Sequence, residues 1–270
     1  MIKAAFFDID GTILSHSQRK IPDSTLKAIH MMQENGIKVY IATGRHLLEI
    51  NELDFRDLHF DGYVVLNGSL LLDQDRNVEM CIPFEKEDKE IMVRLFQEEQ
   101  YAVMLVTMDD FYMNIVTPQT FIACKALNLE IPDPKPWHDQ ELVGAVAYFT
   151  VDEEEAFQEN LTDHVVVARW NPYGVDIAPV CKEQRELHLE GKPYGLYLMG
   201  KKHGFTQEEI IAFGDSQNDE SMLRYAKIGV AMGNATSGAK AAADYITDDI
   251  DEHGVWNAAV HFGLIDGKKM

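Results

Sequence analysis

Cysteine is scarce in this chain. Cys81, Cys124 and Cys181 are the only three among 270 residues, far apart and odd in number. No two have C-x-x-C spacing, so neither a disulfide framework nor a cysteine-based zinc site is indicated, and reduced thiols are expected. Long apolar runs are also missing. None approaches the roughly 18 residues a membrane-crossing helix requires. The opening MIKAAFFDID reaches carboxylates too early for a secretory signal. The expected location is the cytoplasm, with no membrane partner. Basic residues are few: 24 Lys and Arg stand against 45 Asp and Glu, a net charge of −21 with His neutral. A surface this acidic repels nucleic acid phosphates and anionic lipid heads, so neither is expected as a partner. A small anionic molecule is not excluded, because a bound metal or one lysine reverses the sign locally. Low-complexity segments and short repeats are absent as well. The remaining composition, 46% apolar and 26% charged, excludes a disordered chain and supplies a sizeable core. A monomer or weak homodimer is expected.

The pattern along the chain divides in three. An apolar run at 2–7 ends in acid, and a helix is predicted over 23–35, stopped by Gly36. A β-branched run follows at 37–43, then a helix over 45–53 and a strand and turn at 62–69. Short apolar strands alternating with helices imply βαβ units and a parallel sheet. From about residue 83 the pattern changes. A helix over 85–100 precedes two strands, 102–107 and 111–116, with Asp109-Asp110 as a hairpin turn. Prolines 132, 134 and 136 mark a loop. A strand at 144–151, an acidic helix at 152–160 and strands at 165–170 and 174–178 complete an α+β segment, an αββ unit used twice. The βα alternation then resumes: a helix over 193–203, a strand at 209–213 ending in GDSQND, a helix over 220–225, a strand in KIGVAMG, a helix in SGAKAAA, a strand in DYIT and a helical tail over 255–263.

Four clusters carry the chemistry. Asp8-Ile9-Asp10-Gly11-Thr12 sits where the first strand ends, and ligands in open α/β sheets bind at the carboxyl ends of strands. Side chains two apart on extended backbone share a side, and Gly11 permits a sharp turn. An EF-hand loop is rejected, because an apolar strand precedes and Leu14 and Ser15 follow. Thr43-Gly44-Arg45 closes a strand and opens a helix, where unpaired N–H groups and a hydroxyl can cradle a phosphate. Alone, it would read as ordinary capping by Thr43. Gly214-Asp215-Ser216-Gln217-Asn218-Asp219 offers hard oxygen ligands suited to Mg²⁺, with helix capping as the rival reading, stronger for Asp219 than for Asp215. Lys192 precedes a helix and would alone read as surface charge.

Together and in this order, D-x-D-G-T, a strand ending in T-G-R, a lysine and G-D-x-x-N-D resemble the haloacid dehalogenase (HAD) superfamily of phosphotransferases. Leu66-Asn67-Gly68-Ser69 and Gly229–Ala235 (GVAMGNA) are similar to stretches of its Cof-like branch, and the long insertion to that branch's large α/β (type C2) cap. The resemblance implies a Rossmann-like, doubly wound parallel sheet at residues 1–82 and 184–270 with an α+β cap inserted at 83–183.

It also implies roles. Asp8 would be the nucleophile that accepts the phosphoryl group. Asp10 would protonate the leaving alcohol and then take a proton from water. Thr43, Gly44, Lys192 and Asn218 would hold the phosphate. Asp8, Asp10 through its carbonyl, Asp215 and Asp219 would surround the Mg²⁺ ion. Pro193 replaces the usual glycine after the lysine, a change well tolerated at a first helical position. The cap would close over the site, with Arg45, Arg169, Asn171 and Tyr173 as candidate substrate readers. The last three also read as ordinary turn residues. Met92, Leu95 and Phe96 read as helix core. His138, His164, His203 and His253 are scattered and read as surface side chains rather than metal ligands.

The expected activity is Mg²⁺-dependent hydrolysis of a small phosphorylated metabolite, such as a sugar phosphate. A phosphomutase and a nucleotide or cofactor phosphatase are the enzyme alternatives. A phosphoacceptor signalling module is the alternative of another class, disfavoured by the second acid of D-x-D and by the insertion.

Overall fold

The computed structural model describes residues 1–127 and 129–270. In chain order, β1 (Ala4–Phe7), α1 (Asp23–Glu34), β2 (Lys38–Ala42), α2 (Leu47–Glu52), β3 (Gly62–Val65), β4 (Leu70–Leu72) and β5 (Val78–Cys81) come first. Then follow α3 (Lys86–Glu98), β6 (Ala102–Val106), β7 (Phe111–Met113), α4 (Pro118–Leu127), β8 (Gly144–Tyr148), α5 (Glu154–Gln158), β9 (Val165–Asn171), β10 (Gly174–Pro179) and α6 (Lys182–Leu187). The chain ends with α7 (Lys192–His203), β11 (Ile210–Gly214), α8 (Glu220–Tyr225), β12 (Ile228–Ala231), α9 (Ser237–Ala242), β13 (Tyr245–Ile246) and α10 (Gly254–His261). Two compact units result: Met1–Met80 with Gly191–Met270, and Cys81–Glu190.

Among the described residues, the first unit forms one eight-stranded sheet in the order β13-β12-β11-β1-β2-β3-β4-β5. The pairs from β13 through β3 are parallel, and β4 returns antiparallel to β3. Strand β1 (AAFF) and strand β11 (IIAFG) are buried along their whole length, as strands covered by helices on both faces must be. Phe6 stacks on Tyr40 and Phe7 on Phe213, with ring centroids 4.7 and 4.5 Å apart. The parallel α/β class read from the alternating pattern is the class observed.

Among the described residues, the second unit holds a five-stranded sheet in the order β7-β6-β8-β10-β9, whose neighbouring strands all pair antiparallel. Here α3-β6-β7 and α5-β9-β10 repeat an αββ arrangement. Met92, Leu95 and Phe96 bury the inner face of α3 against β6, β8 and β10 residues such as Val103, Ala147 and Val175.

Several elements differ from the expected ones for local reasons. The helix expected from residue 45 begins at Leu47, because His46 caps it: its Nδ1 accepts from Leu48 N, and Glu49 reaches back to His46 N. Helices α4 and α6 were not foreseen. Helix α4 (PQTFIACKAL) leaves Phe121 and Ile122 exposed, so its apolar residues mark no single inward stripe. Helix α6 has only six residues. Strands β4 and β5 were also missed, since three consecutive leucines carry no period-2 signal.

Candidate active site

Strand β1 lies between β11 and β2, all three parallel. Their carboxyl ends therefore stand side by side, and each continues into one of the clusters read from the sequence. Asp8 follows β1, Thr43 follows β2 and Asp215 follows β11.

The turn after β1 is tight. Ile9 O accepts from the amides of Thr12, Ile13 and Leu14, and Gly11 N donates back to Leu14 O. Gly11 has φ +81°, and a Cβ there would lie 2.4 Å from Asp215 Oδ2. Glycine is needed on both counts, for the backbone angle and for the close approach of a carboxylate. The Thr12 hydroxyl donates to Asp215 Oδ1 at 3.0 Å, across 203 positions of sequence. Asn234, in the loop after β12, donates to Gly11 O at 2.8 Å and accepts from Ile250 N at 3.0 Å. Thr236 N donates to Asp215 O at 2.8 Å.

Lys192 opens α7 and is 1% exposed. Its ammonium bridges two carboxylates, 2.8 Å from Asp8 Oδ1 and 2.5 Å from Asp219 Oδ1. The Leu66-Asn67-Gly68 turn sets its place. Gly68 has φ +98°, and a Cβ there would lie 2.3 Å from Gly191 O, so the two backbones touch just before the lysine. Asn67 N donates to Thr43 O at 3.0 Å, while Asn67 Oδ1 accepts from Asn218 Nδ2 at 3.2 Å. One turn thus joins the Thr43, Lys192 and Asn218 segments.

Asp219 has both oxygens engaged. Oδ1 holds Lys192, and Oδ2 accepts from Asp215 N at 2.9 Å and Ser216 N at 3.0 Å. The capping reading of Asp219 therefore holds alongside its contact with the lysine. Thr43 is buried, and its oxygen accepts from Arg45 N at 3.1 Å, which leaves its hydroxyl proton available to donate. Arg45 grips Asp10 with two parallel bonds, Nε to Oδ2 at 2.7 Å and Nη2 to Oδ1 at 2.8 Å. A residue expected to read substrate is thus bonded to the second acid of the motif.

Asp8, Asp215 and Asp219 each offer a carboxylate oxygen within 4.8 Å of the other two. Three carboxylates against one ammonium leave a surplus of buried negative charge. Burial, then the Asp219 charge, push Asp8 up from 3.8 to about 7 despite the opposing pull of Lys192. Asp215 is raised well above the ordinary carboxylate range by burial, then by Asp219 and Asp8, against the bond from Thr12. Burial alone would lower Lys192, but Asp219 and Asp8 outweigh it and raise its pKa. Such strain is what a divalent cation relieves, and an all-oxygen donor set suits a hard one such as Mg²⁺.

Of the residues singled out in the sequence, Asp8, Asp10, Thr43, Gly44, Arg45, Lys192, Asp215, Asn218 and Asp219 lie in the first unit. Arg169, Asn171 and Tyr173 lie in the second. There Arg169 Nε donates to Glu154 Oε2 at 2.6 Å, and Asn171 Oδ1 accepts from Tyr173 N at 2.7 Å to shape the β9–β10 turn. Sequence reasoning gave no role to Thr12, Asn67 or Asn234. Each stood inside a quoted stretch, but its partner lies far away in the chain.

Comparisons with known proteins agree with this geometry. A family model described as haloacid dehalogenase-like hydrolase matches residues 5–258. Putative phosphatase YkrA of Bacillus subtilis (strain 168) is 27% identical over 265 residues, 97% of this chain and 98% of that protein. In the same organism, the 5-amino-6-(5-phospho-D-ribitylamino)uracil phosphatase YcsE is 28% identical over 97% of this chain and 96% of its own. Among solved structures, BT1666 from Bacteroides thetaiotaomicron, described among the phosphatases of the superfamily, superposes with a TM-score of 0.84 at 31% identity, covering 98% of this chain and 96% of that one. With its parallel core, its interrupting α+β unit and these matches over nearly its whole length, the chain belongs to the haloacid dehalogenase-like hydrolases.

Proposed function

We propose that this protein is a Mg²⁺-dependent phosphatase of small phosphorylated metabolites, sugar phosphates among them, acting through an aspartyl phosphate on Asp8. The observation that carries this reading is the Lys192 ammonium held between Asp8 and Asp219, with Asp215 within reach of both. Relatives of the chain include a phosphatase of a phosphoribitylamino-uracil, and a sugar phosphatase of HAD subclass IIB, BT4131, shares its fold at a TM-score of 0.85 and 31% identity.

Asp8, Asp215 and the Asp10 carbonyl would hold Mg²⁺, with Asp219 at the edge because its own oxygens are committed. The ion supplies positive charge that offsets repulsion between a phosphate dianion and the Asp8 carboxylate. Lys192 holds Asp8 Oδ1, which leaves Oδ2 to attack phosphorus. The Thr43 hydroxyl, the Gly44 N–H and Lys192 bind the phosphoryl oxygens as their charge develops. The bond from phosphorus to the substrate oxygen breaks, and Asp10, protonated on an oxygen that Arg45 releases as substrate binds, gives the leaving oxygen that proton. The resulting Asp10 carboxylate then takes a proton from water, whose oxygen attacks phosphorus and breaks the bond to Asp8. Inorganic phosphate leaves, and both acids return to their starting states. Arg45 acts here as a positioning residue that orients Asp10.

The test is a panel of phosphorylated metabolites assayed for released inorganic phosphate, with Mg²⁺ and with a chelator. Hydrolysis that the chelator abolishes and Mg²⁺ restores supports the proposal. Activity indifferent to the chelator, or an isomerised product without released phosphate, overturns it.

A further inference from the structure

A second cluster, wholly within the unit Cys81–Glu190, takes no part in the chemistry above. Glu85 precedes α3, Asp88 lies in its first turn, and His164 precedes β9. One ligand atom from each lies within 4.8 Å of the others. His164 Nδ1 is 3.3 Å from Glu85 Oε2 and 3.8 Å from Asp88 Oδ2, and its Nε2 is 3.5 Å from Asp163 Oδ1.

Acids at a helix start ordinarily answer the helix dipole, but that does not account for this arrangement. Glu85, at the cap position, makes no side-chain bond to the helix. Asp88 is only 2% exposed, although a carboxylate that merely complements a dipole can stay in water. The Thr162 hydroxyl donates to Asp88 Oδ1, and Thr162 Oγ1 also accepts from His164 N at 3.0 Å. This orients the buried carboxyl group with Oδ2 toward the imidazole. Among the described residues, neither Asp88 Oδ2 nor His164 Nδ1 has a hydrogen-bond partner. Their separation is too long for a hydrogen bond between them. A buried carboxylate oxygen left without a partner is costly. Both atoms are lone-pair donors if the imidazole is neutral with its proton on Nε2, a state in which the 3.3 Å approach of Glu85 Oε2 to Nδ1 is no ion pair.

We propose that Glu85, Asp88 and His164 bind a divalent transition-metal ion of the Zn²⁺ class. The donor set decides the class. One imidazole nitrogen with carboxylate oxygens suits Zn²⁺, whereas Mg²⁺ prefers oxygen and water. Glu85 is exposed and His164 is 28% exposed at its side chain, so water completes the coordination and the ion has a path in. The ion acts as a structural clip. It joins the first turn of α3 to the segment that enters β9, reinforcing the link that the Thr162–Asp88 bond already makes across 74 positions. The site is independent of the carboxylates beside Lys192, which offer no nitrogen.

The experiment is equilibrium dialysis of the full chain, stripped of metal by a chelator, against Zn²⁺ in saturating Mg²⁺ so that the oxygen-only cluster is occupied. One Zn²⁺ per chain is expected. His164→Gln and Glu85→Gln, both exposed enough to leave the fold intact by circular dichroism, each lower the affinity at least about tenfold. Thr162→Val, which removes the hydroxyl that orients Asp88 and accepts from His164 N, lowers it by about 10–100-fold. Asp215→Asn leaves it unchanged. X-ray absorption at the zinc edge shows one imidazole in the wild type and none in His164→Gln. Failure to retain Zn²⁺ in excess Mg²⁺ overturns the proposal. So does Zn²⁺ lost in Asp215→Asn but kept in His164→Gln.

Discussion

Two buried cations, Arg169 of the second unit and Lys192 of the first, are balanced in opposite ways. In the second, Arg169 is 7% exposed and meets one carboxylate, that of Glu154, with a further bond to Asn171 O at 3.1 Å and the Phe149 ring 5.1 Å away. Charge is balanced one to one, and the pair ties β9 to α5. In the first, Lys192 is as deeply buried but faces Asp8, Asp219 and the nearby Asp215. The balance fails there, and burial, then the neighbouring carboxylates, drive two acids up. A balanced pair can be explained by folding alone. A buried surplus of one sign costs stability, and such a cost is maintained where the protein binds something of opposite sign.

The sharpest way to break this contrast is Asp8→Asn. Phosphate release should fall by more than about 10⁴-fold, as expected for loss of a nucleophile, while circular dichroism shows an intact fold. Turnover within tenfold of wild type would remove Asp8 from the mechanism and leave the surplus unexplained.

Next in size is Arg45→Ala. If Arg45 orients Asp10, kcat should fall about 100-fold, the loss a misplaced catalytic group brings. Alkyl phosphates should suffer more than aryl phosphates, because an alkoxide needs a proton as it leaves. A raised KM at unchanged kcat would instead make Arg45 a substrate reader.

The third prediction concerns pH. Asp8 is raised from 3.8 to about 7 in the folded protein. Between those values the native state binds more protons than the unfolded one, so metal-free stability falls as pH rises through this window. Mg²⁺ binds the carboxylate form, so its stabilisation should be larger at pH 8 than at pH 5. Thermal unfolding with and without Mg²⁺ at the two values measures this, and an equal shift at both would contradict it.

Smallest is Arg169→Met. Leaving Glu154 half-buried and unpaired should cost about 1–3 kcal/mol in urea unfolding. The loss should be largely shared with Glu154→Gln in a double-mutant cycle. A changed KM with no loss of stability would transfer Arg169 from the structural side of the comparison to substrate recognition.

Much of the first unit was legible because its signals are local. The IKVYIAT run and the GDSQND turn each combine an apolar strand with the polar residues at its end, and a parallel sheet puts those ends on one edge. Helix α8 was read residue for residue, since its acidic start and apolar spacing leave no alternative. What was missed lacked a period or depended on a distant partner. Strands β4 and β5 extend an edge that only β3 defines. Arg45 could be placed at a helix start, but nothing near it in the chain indicates that it turns toward Asp10. His164 read as surface because it stands alone among the chain's scattered histidines, whereas its neighbours in space begin at Glu85.

The sequence by itself determined most of the elements, the turns that glycine permits at positions 11 and 68, and the supply of acids, hydroxyls and one lysine at strand and helix ends. Backbone geometry and side-chain chemistry within a few residues suffice for these. Only the tertiary structure decided which of them meet. Pairing β1 with β11 brings Asp215 Oδ1 within a hydrogen bond of Thr12, and packing Gly68 on Gly191 sets Lys192 against Asp8 across 184 positions. Those distances follow from strand order and from the shapes that close around the core, and no local stretch of chain contains that information.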